Sequence, residues 1–308
     1  MSVWHGFLLP ATLAAAAATP AFGQTVAPTV GSAGAKQAAA ATPDFSSVWR
    51  HASLPGFEPP ASGPGPITNL SRLNGVSNWD QLVGDYHNPI LKPHAAEIVK
   101  KQGDIALKWI TAPTPANQCW PQPVPYIFWS FGMKMLQEAD KVTFLYVDPD
   151  HEFRQVRLNQ PHPSKVTPSI YGDSVGYYEG DTLVVDTVGV RTERPFAMVD
   201  AYGTPYSDAL HVVERYRLLS YEDAKEGLDR DTKENRHVPN DINRNYRGKH
   251  LQLTFTVEDP GVFTTPWTAT ITYGRGSGEF AEEVCAENFH EYYYNKDSEV
   301  PRADKPDF

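Results

Sequence analysis

The sequence predicts a mainly β protein: an antiparallel barrel or a two-sheet sandwich of about eight strands, with one helix packed outside. Two observations carry this. In segment after segment, apolar and polar residues alternate with a period of two, and short turns rich in Gly, Asp and Pro separate the segments. The composition agrees. Tyr 15, Phe 14 and Pro 27 against Met 4 in 308 residues favour strands and turns over a helical bundle.

The elements follow in chain order. Phe7-Leu8-Leu9 opens an apolar run that continues to Ala18, and Ala21-Phe22-Gly23 supplies small residues at a cleavage site. Residues 1–23 therefore read as a signal peptide, although only His5 and no Lys or Arg precedes the run. The mature chain is expected to be periplasmic or secreted. Residues 24–43, rich in Ala, Thr, Gly and Pro, read as a flexible linker. A single β-rich domain is expected over 44–296, opening with Asp44 to Trp49. Residues 52–68 hold many Pro and Gly and should form irregular loop. Near 92–109, Pro93 suits a first helical turn, and Ala95, Ile98, Val99, Ile105 and Trp109 make an apolar stripe with Lys100, Lys101 and Lys108 outside it.

Strands then follow near Phe128–Leu136, at 142–147, at 153–158 after an Asp148-Pro149-Asp150 turn, and at 175–179 and 182–188 around Gly180-Asp181. The last three lie at 210–219, 251–258 and 267–273. Eight such strands can close into a lipocalin-like barrel around one ligand cavity, or stack as a sandwich. Residues 221–248, dense in charge, read either as a solvated excursion or as a lid over the barrel mouth. The charged tail at 297–308 is expected to fray.

Charge and motifs exclude several function classes. Lys plus Arg is 27 against 37 Asp plus Glu, so the formal charge is −10. That balance argues against nucleic acid as a partner and against an anionic membrane surface. No second segment is long and apolar enough for a membrane span. No H-x-H or H-E-x-x-H pair occurs, so no metal site is expected. No glycine-rich phosphate loop follows a strand, so no nucleotide cofactor is expected, nor any other. Cys119 and Cys285 suggest a disulfide in an oxidising compartment; the alternative is two separate buried thiols.

Several stretches, read together, carry a resemblance. They are Leu91-Lys92-Pro93-His94-Ala95-Ala96 leading to Cys119; Gly172-Asp173-Ser174-Val175-Gly176-Tyr177-Tyr178-Glu179-Gly180-Asp181-Thr182-Leu183-Val184-Val185-Asp186-Thr187; and His211-Val212-Val213-Glu214-Arg215. With Glu258-Asp259-Pro260 and Thr265-Pro266-Trp267, the chain resembles a broad, largely uncharacterised family of exported bacterial proteins over roughly residues 90 to 290. Tyr177-Tyr178 stands where that pattern usually has Arg-Trp, and Ala286-Glu287 where it often has His-Glu. The resemblance implies export and a β-rich domain, and no activity.

The candidate chemistry centres on Glu214. On its strand Leu210, Val212, Glu214, Tyr216 and Leu218 share one face, which should look inward, and His211, Val213, Arg215 and Arg217 share the other. A buried carboxylate must be paired or protonated, which makes Glu214 a candidate general acid or base or half of a structural ion pair. Asp186 is a candidate partner if it faces the lumen, and His211 is another. Tyr146, Tyr216, Trp267 and Tyr273 fall on inward faces and can line a cavity; of Tyr177 and Tyr178, on opposite faces, Tyr178 is taken as the lining one. Gly172-Asp173-Ser174-Val175-Gly176 matches a nucleophile-elbow string. However, strand and hairpin residues follow it, so it reads as the start of a strand. The expected function is a cofactor-independent acid–base enzyme (lyase, isomerase or hydrolase) acting on a small aromatic or largely apolar molecule. The alternative is a non-catalytic binding protein for a small hydrophobic ligand.

Overall fold

The computed structural model describes residues 42–51, 56–146, 152–234 and 242–276. The expected signal peptide, nearly all of the expected linker, the Asp148-Pro149-Asp150 turn, Cys285 and the tail lie outside these residues.

Eleven strands and two α-helices are described. In chain order they are β1 (Val48–Arg50), β2 (Arg72–Leu73), β3 (Val76–Ser77), α1 (Pro93–Ala106), β4 (Gly132–Gln137), β5 (Lys141–Tyr146) and β6 (Phe153–Leu158). There follow β7 (Asp173–Glu179), β8 (Thr182–Val188), β9 (His211–Leu219), α2 (Tyr221–Glu234), β10 (His250–Glu258) and β11 (Trp267–Arg275). β2 and β3 form a small separate ribbon. The other nine strands close into a barrel in the order β1-β11-β10-β9-β8-β7-β6-β5-β4.

The barrel is therefore the realised alternative, and the sandwich is not. Its closing member is the ninth strand. Trp49 pairs with Arg275 on one side and with Met133 on the other. At three residues, β1 is too short to show alternation, which is why the sequence pattern yields eight strands.

The expectation of an all-antiparallel ring needs correction. Around a closed ring the number of antiparallel interfaces must be even, because each reverses the strand direction. Nine strands make nine interfaces, so at least one must be parallel. That one is β6 against β7, where Arg157 pairs with Val175 and Leu158 with Gly176. A parallel neighbour needs a long crossover, and residues 159–172 supply it.

Inside the ring the period-two faces meet as expected. Leu183, Val185, Val212, Tyr216, Leu253, Phe255, Ala269 and Ile271 are buried to 1% exposure or less. Phe144 lies 5.1 Å from Tyr216, and Phe57 and Phe128 close on Phe255 at 4.9 and 5.0 Å between ring centroids. The lumen along these strands is packed with side chains.

The helices depart from expectation. α1 stops at Ala106, and Trp109 stands 72% exposed in the left-handed region, at φ 60°. The buried stripe is Ala95, Val99, Gly103 and Ala106, while Ile98 faces water. The small residues win that face because α1 lies close on Val83, whose Cγ1 would sit 3.0 Å from any Cβ added at Gly103. The charged excursion contains a second helix, α2. It packs on the outside of the barrel wall rather than over a mouth: Gly227 lies against the side chain of Thr272, which alternates with the inward Ile271 and Tyr273. Ser220 caps α2, with its Oγ accepting from the Asp223 N–H at 3.1 Å, and Glu222 and Asp223 lie in the first turn.

Candidate functional site

The predicted site residues fall into two groups on opposite sides of the wall. Glu214 is fully buried in the lumen. Its Oε2 accepts from Arg154 Nη1 at 2.9 Å and its Oε1 from Arg154 Nη2 at 2.6 Å. Tyr216, two residues along the same face, donates its hydroxyl to Oε2 at 2.7 Å. Arg154 also donates to Ser174 Oγ at 3.0 Å and Thr187 Oγ1 at 2.6 Å. Burial opposes the charge on Arg154, but the Glu214 carboxylate outweighs it and raises the guanidinium pKa above its ordinary value. Ser174 is thus part of an interior polar cluster on a strand, not a nucleophile on an elbow.

Asp186 and His211 face outward, so no lumenal pair of Asp186 with Glu214 forms. Val185 is the residue opposite Glu214, and Asp186 is one step out of phase. The two outward residues do meet. His211 Nε2 lies 3.1 Å from Asp186 Oδ2. The other Asp186 oxygen is 2.9 Å from His162 Nε2, and His162 Nδ1 is 2.6 Å from Asp173 Oδ1. Arg157 grips Asp173 with both terminal nitrogens, at 2.9 and 3.0 Å. His162 comes from the β6–β7 crossover, so this chain of charges pins the crossover to the wall. Hydrogen bonding to His211 lowers the Asp186 pKa, and the same bond raises that of His211. Among the described residues no group of three or more His, Cys, Asp or Glu is placed to hold a metal ion.

Of the expected lining residues, Tyr146, Tyr216, Trp267 and Tyr273 are buried in the lumen and Tyr178 is half-buried, its hydroxyl accepting from Gln137 Nε2 at 2.8 Å. Tyr146, Tyr216 and Tyr273 lie near Glu214, whereas Trp267 packs against Phe57, Phe255 and Phe263. Burial pushes the Tyr146 hydroxyl pKa up.

The cavity lies elsewhere. Between α2 and the outer wall, beside the start of β10 and the end of β1, is a space of about 180 Å³. Tyr221, Tyr246, His250, Asp231, Arg50 and Arg244 line it, among others. His250 is 2% exposed, and among the described residues its ring nitrogens have no side-chain partner and meet only the Tyr273 and Tyr246 backbones, short of good hydrogen-bond geometry. Its ring lies 5.8 Å from Tyr221 and 5.5 Å from Tyr246 between centroids. Burial lowers the His250 pKa, against the smaller pull of the Tyr273 and Tyr246 backbones. Asp231, on the inner face of α2, is 7% exposed, and burial, with Glu58 next, raises its pKa well above the usual carboxylate value. Arg230 beside it is taken by Glu58 and Glu226. A second space of about 230 Å³, near Phe57, Arg72 and Tyr202, also reaches Asp231.

No protein-family model, curated protein or solved structure matches the chain.

Sequence reasoning missed Arg154, His162, Asp231 and His250. Of the four, only Arg154 left a readable mark, and the helix that carries Asp231 left another. Arg154 shares the apolar face of Val156 and Leu158, and Ser220-Tyr221-Glu222-Asp223 is a capping pattern that announces α2. His250 and Asp231 left none, because a charged surface-like segment gives no hint of the wall it will cover. Among the described residues Cys119 is not a free thiol.

Proposed function

We propose that the chain is an exported protein that binds a small molecule in the cavity between α2 and the barrel wall. One observation carries this reading: His250 is buried beside a cavity with no side-chain partner among the described residues, its ring held only by the Tyr273 and Tyr246 backbones at poor hydrogen-bond geometry. A buried polar group without a well-formed hydrogen bond costs about 1–3 kcal/mol, and a ligand bonding there recovers part of it. The lumen supports the reading less well, since Glu214 is already held by Arg154 and Tyr216.

An acid–base enzyme remains a second reading, with the chemistry moved from Glu214 to the α2 cavity. Asp231 and His250 favour it. Burial pushes the first towards its neutral acid and the second towards its neutral base, the complementary pair that proton transfer needs.

A thermal-shift ligand screen on the chain beginning at Gln24 tests the binding reading. A ligand at a hundred times its dissociation constant should stabilise by about 2.7 kcal/mol, and His250→Leu should abolish the shift. A ligand whose shift survives that substitution sinks the cavity as the site. The enzyme reading requires that Asp231→Asn lower turnover by about 10²–10⁴-fold while leaving affinity in place. Export is tested by N-terminal sequencing of the protein recovered from the periplasm or medium.

A further inference from the structure

We infer that the α2 cavity takes a single-ring aromatic acid, an inference that rests on the cavity being the binding site. Size comes first. An apolar cavity of about 150 Å³ accommodates benzene, and this one, at about 180 Å³, has room for one ring and a small polar substituent. Its walls suit a ring: Tyr221, Tyr246 and His250 present three aromatic faces or edges.

Charge selects the substituent. Arg50 and Arg244 line the cavity. Two more arginines back its aromatic walls, Arg247 at 4.3 Å from the Tyr221 ring and Arg275 at 5.8 Å from that of Tyr246. Among the described residues two carboxyl groups line it, and neither offers a free negative charge. Asp229 is ion-paired with Lys225 on its own helix, and Asp231 is buried where ionisation is disfavoured. In a chain of net charge −10, Arg244, Arg247 and Arg275 gather positive charge at this cavity among the described residues, and a concave site of one sign draws ligands of the other.

The test is isothermal titration calorimetry of the chain from Gln24 with three probes of the same shape: benzoate, benzamide and benzylamine. Benzoate should bind saturably and about tenfold or more tighter than benzamide, benzylamine should bind weakest, and added salt should weaken benzoate. Arg244→Gln, at an exposed position, should remove most of the preference for benzoate without unfolding the protein, and His250→Gln should weaken all three. Benzamide or benzylamine binding as tightly as benzoate overturns the acid assignment and leaves the cavity reading standing. The same follows if none of the three binds while a library compound gives a His250-dependent shift. If neither these probes nor any library compound binds, both fail together.

Discussion

Arg154 and Glu214 stand 60 residues apart in sequence and meet inside the barrel through two parallel N–H···O contacts of 2.6 and 2.9 Å. β6 and β9 are separated by two strands, so the pair reaches across the lumen and ties together two strands that are not neighbours. Its members are 1% and 0% exposed in their side chains. Removing one partner strands the other charge where water does not reach, which typically costs about 3–5 kcal/mol. Glu214→Gln is therefore expected to lower the urea midpoint sharply. Arg154→Met combined with Glu214→Leu should recover much of the loss, since an apolar pair needs no desolvation. A single substitution that leaves the midpoint unmoved would contradict the burial described.

The Asp186–His211 contact should make stability depend on pH. The raised pKa of His211 adds stability that is full below the unfolded value of about 6.5 and lost as pH rises through the folded one. The lowered pKa of Asp186 adds stability that is present above about 3.9 and lost as pH falls. The window lies between those limits. His211→Gln should then cost more at pH 5.5 than at pH 8.5, although under about 1 kcal/mol, because both groups are a third exposed. Paired denaturation curves at the two pH values would show it.

Asp231 works with the opposite sign. A carboxyl whose folded pKa is raised destabilises progressively once pH exceeds its unfolded value. Asp231→Asn should stabilise at pH 7 and should have little effect at pH 3. Equal effects at both would mean the group is not desolvated.

Gly227 sets how closely α2 approaches the wall. A Cβ there would land on Thr272 Oγ1 and Cβ. Alanine favours a helix by about 1 kcal/mol over glycine, yet Gly227→Val should destabilise by about 1–3 kcal/mol through overpacking. It should also weaken any ligand that depends on His250. Unchanged binding in this variant would separate the site from the seating of α2.

The expected Cys119–Cys285 bridge has a direct readout. Iodoacetamide should add two alkyl groups to the unfolded chain only after reduction, as read by intact mass. Labelling without reductant would restore the alternative of separate thiols.

Most of the barrel wall was legible because period-two alternation is local. The faces of β9 to β11 follow from it, and so does the inward aim of Glu214. Asp186 was not legible, since both faces of its strand are apolar and alternation then carries no direction. α1 was read at the right place, with Ala95 and Val99 buried as expected, but Gly103 and Ala106 replace Ile98 and Trp109 in the stripe, because a close approach to Val83 favours small residues over large ones. α2 was hidden by composition: a helix that lays a narrow stripe of Ala224, Gly227 and Asp231 on a sheet exposes the rest of its surface and looks solvated throughout.

Short-range alternation and turn chemistry thus settled where the strands run and which side chains enter the core, as each choice depends on neighbours two residues away. The closing of the ring by three residues of β1, the parallel joint at β6 and β7, the counter-ion of Glu214 and the cavity under α2 all depend on segments tens to hundreds of residues apart. Strand parity and the packing of a closed surface impose them, and no local preference encodes either constraint.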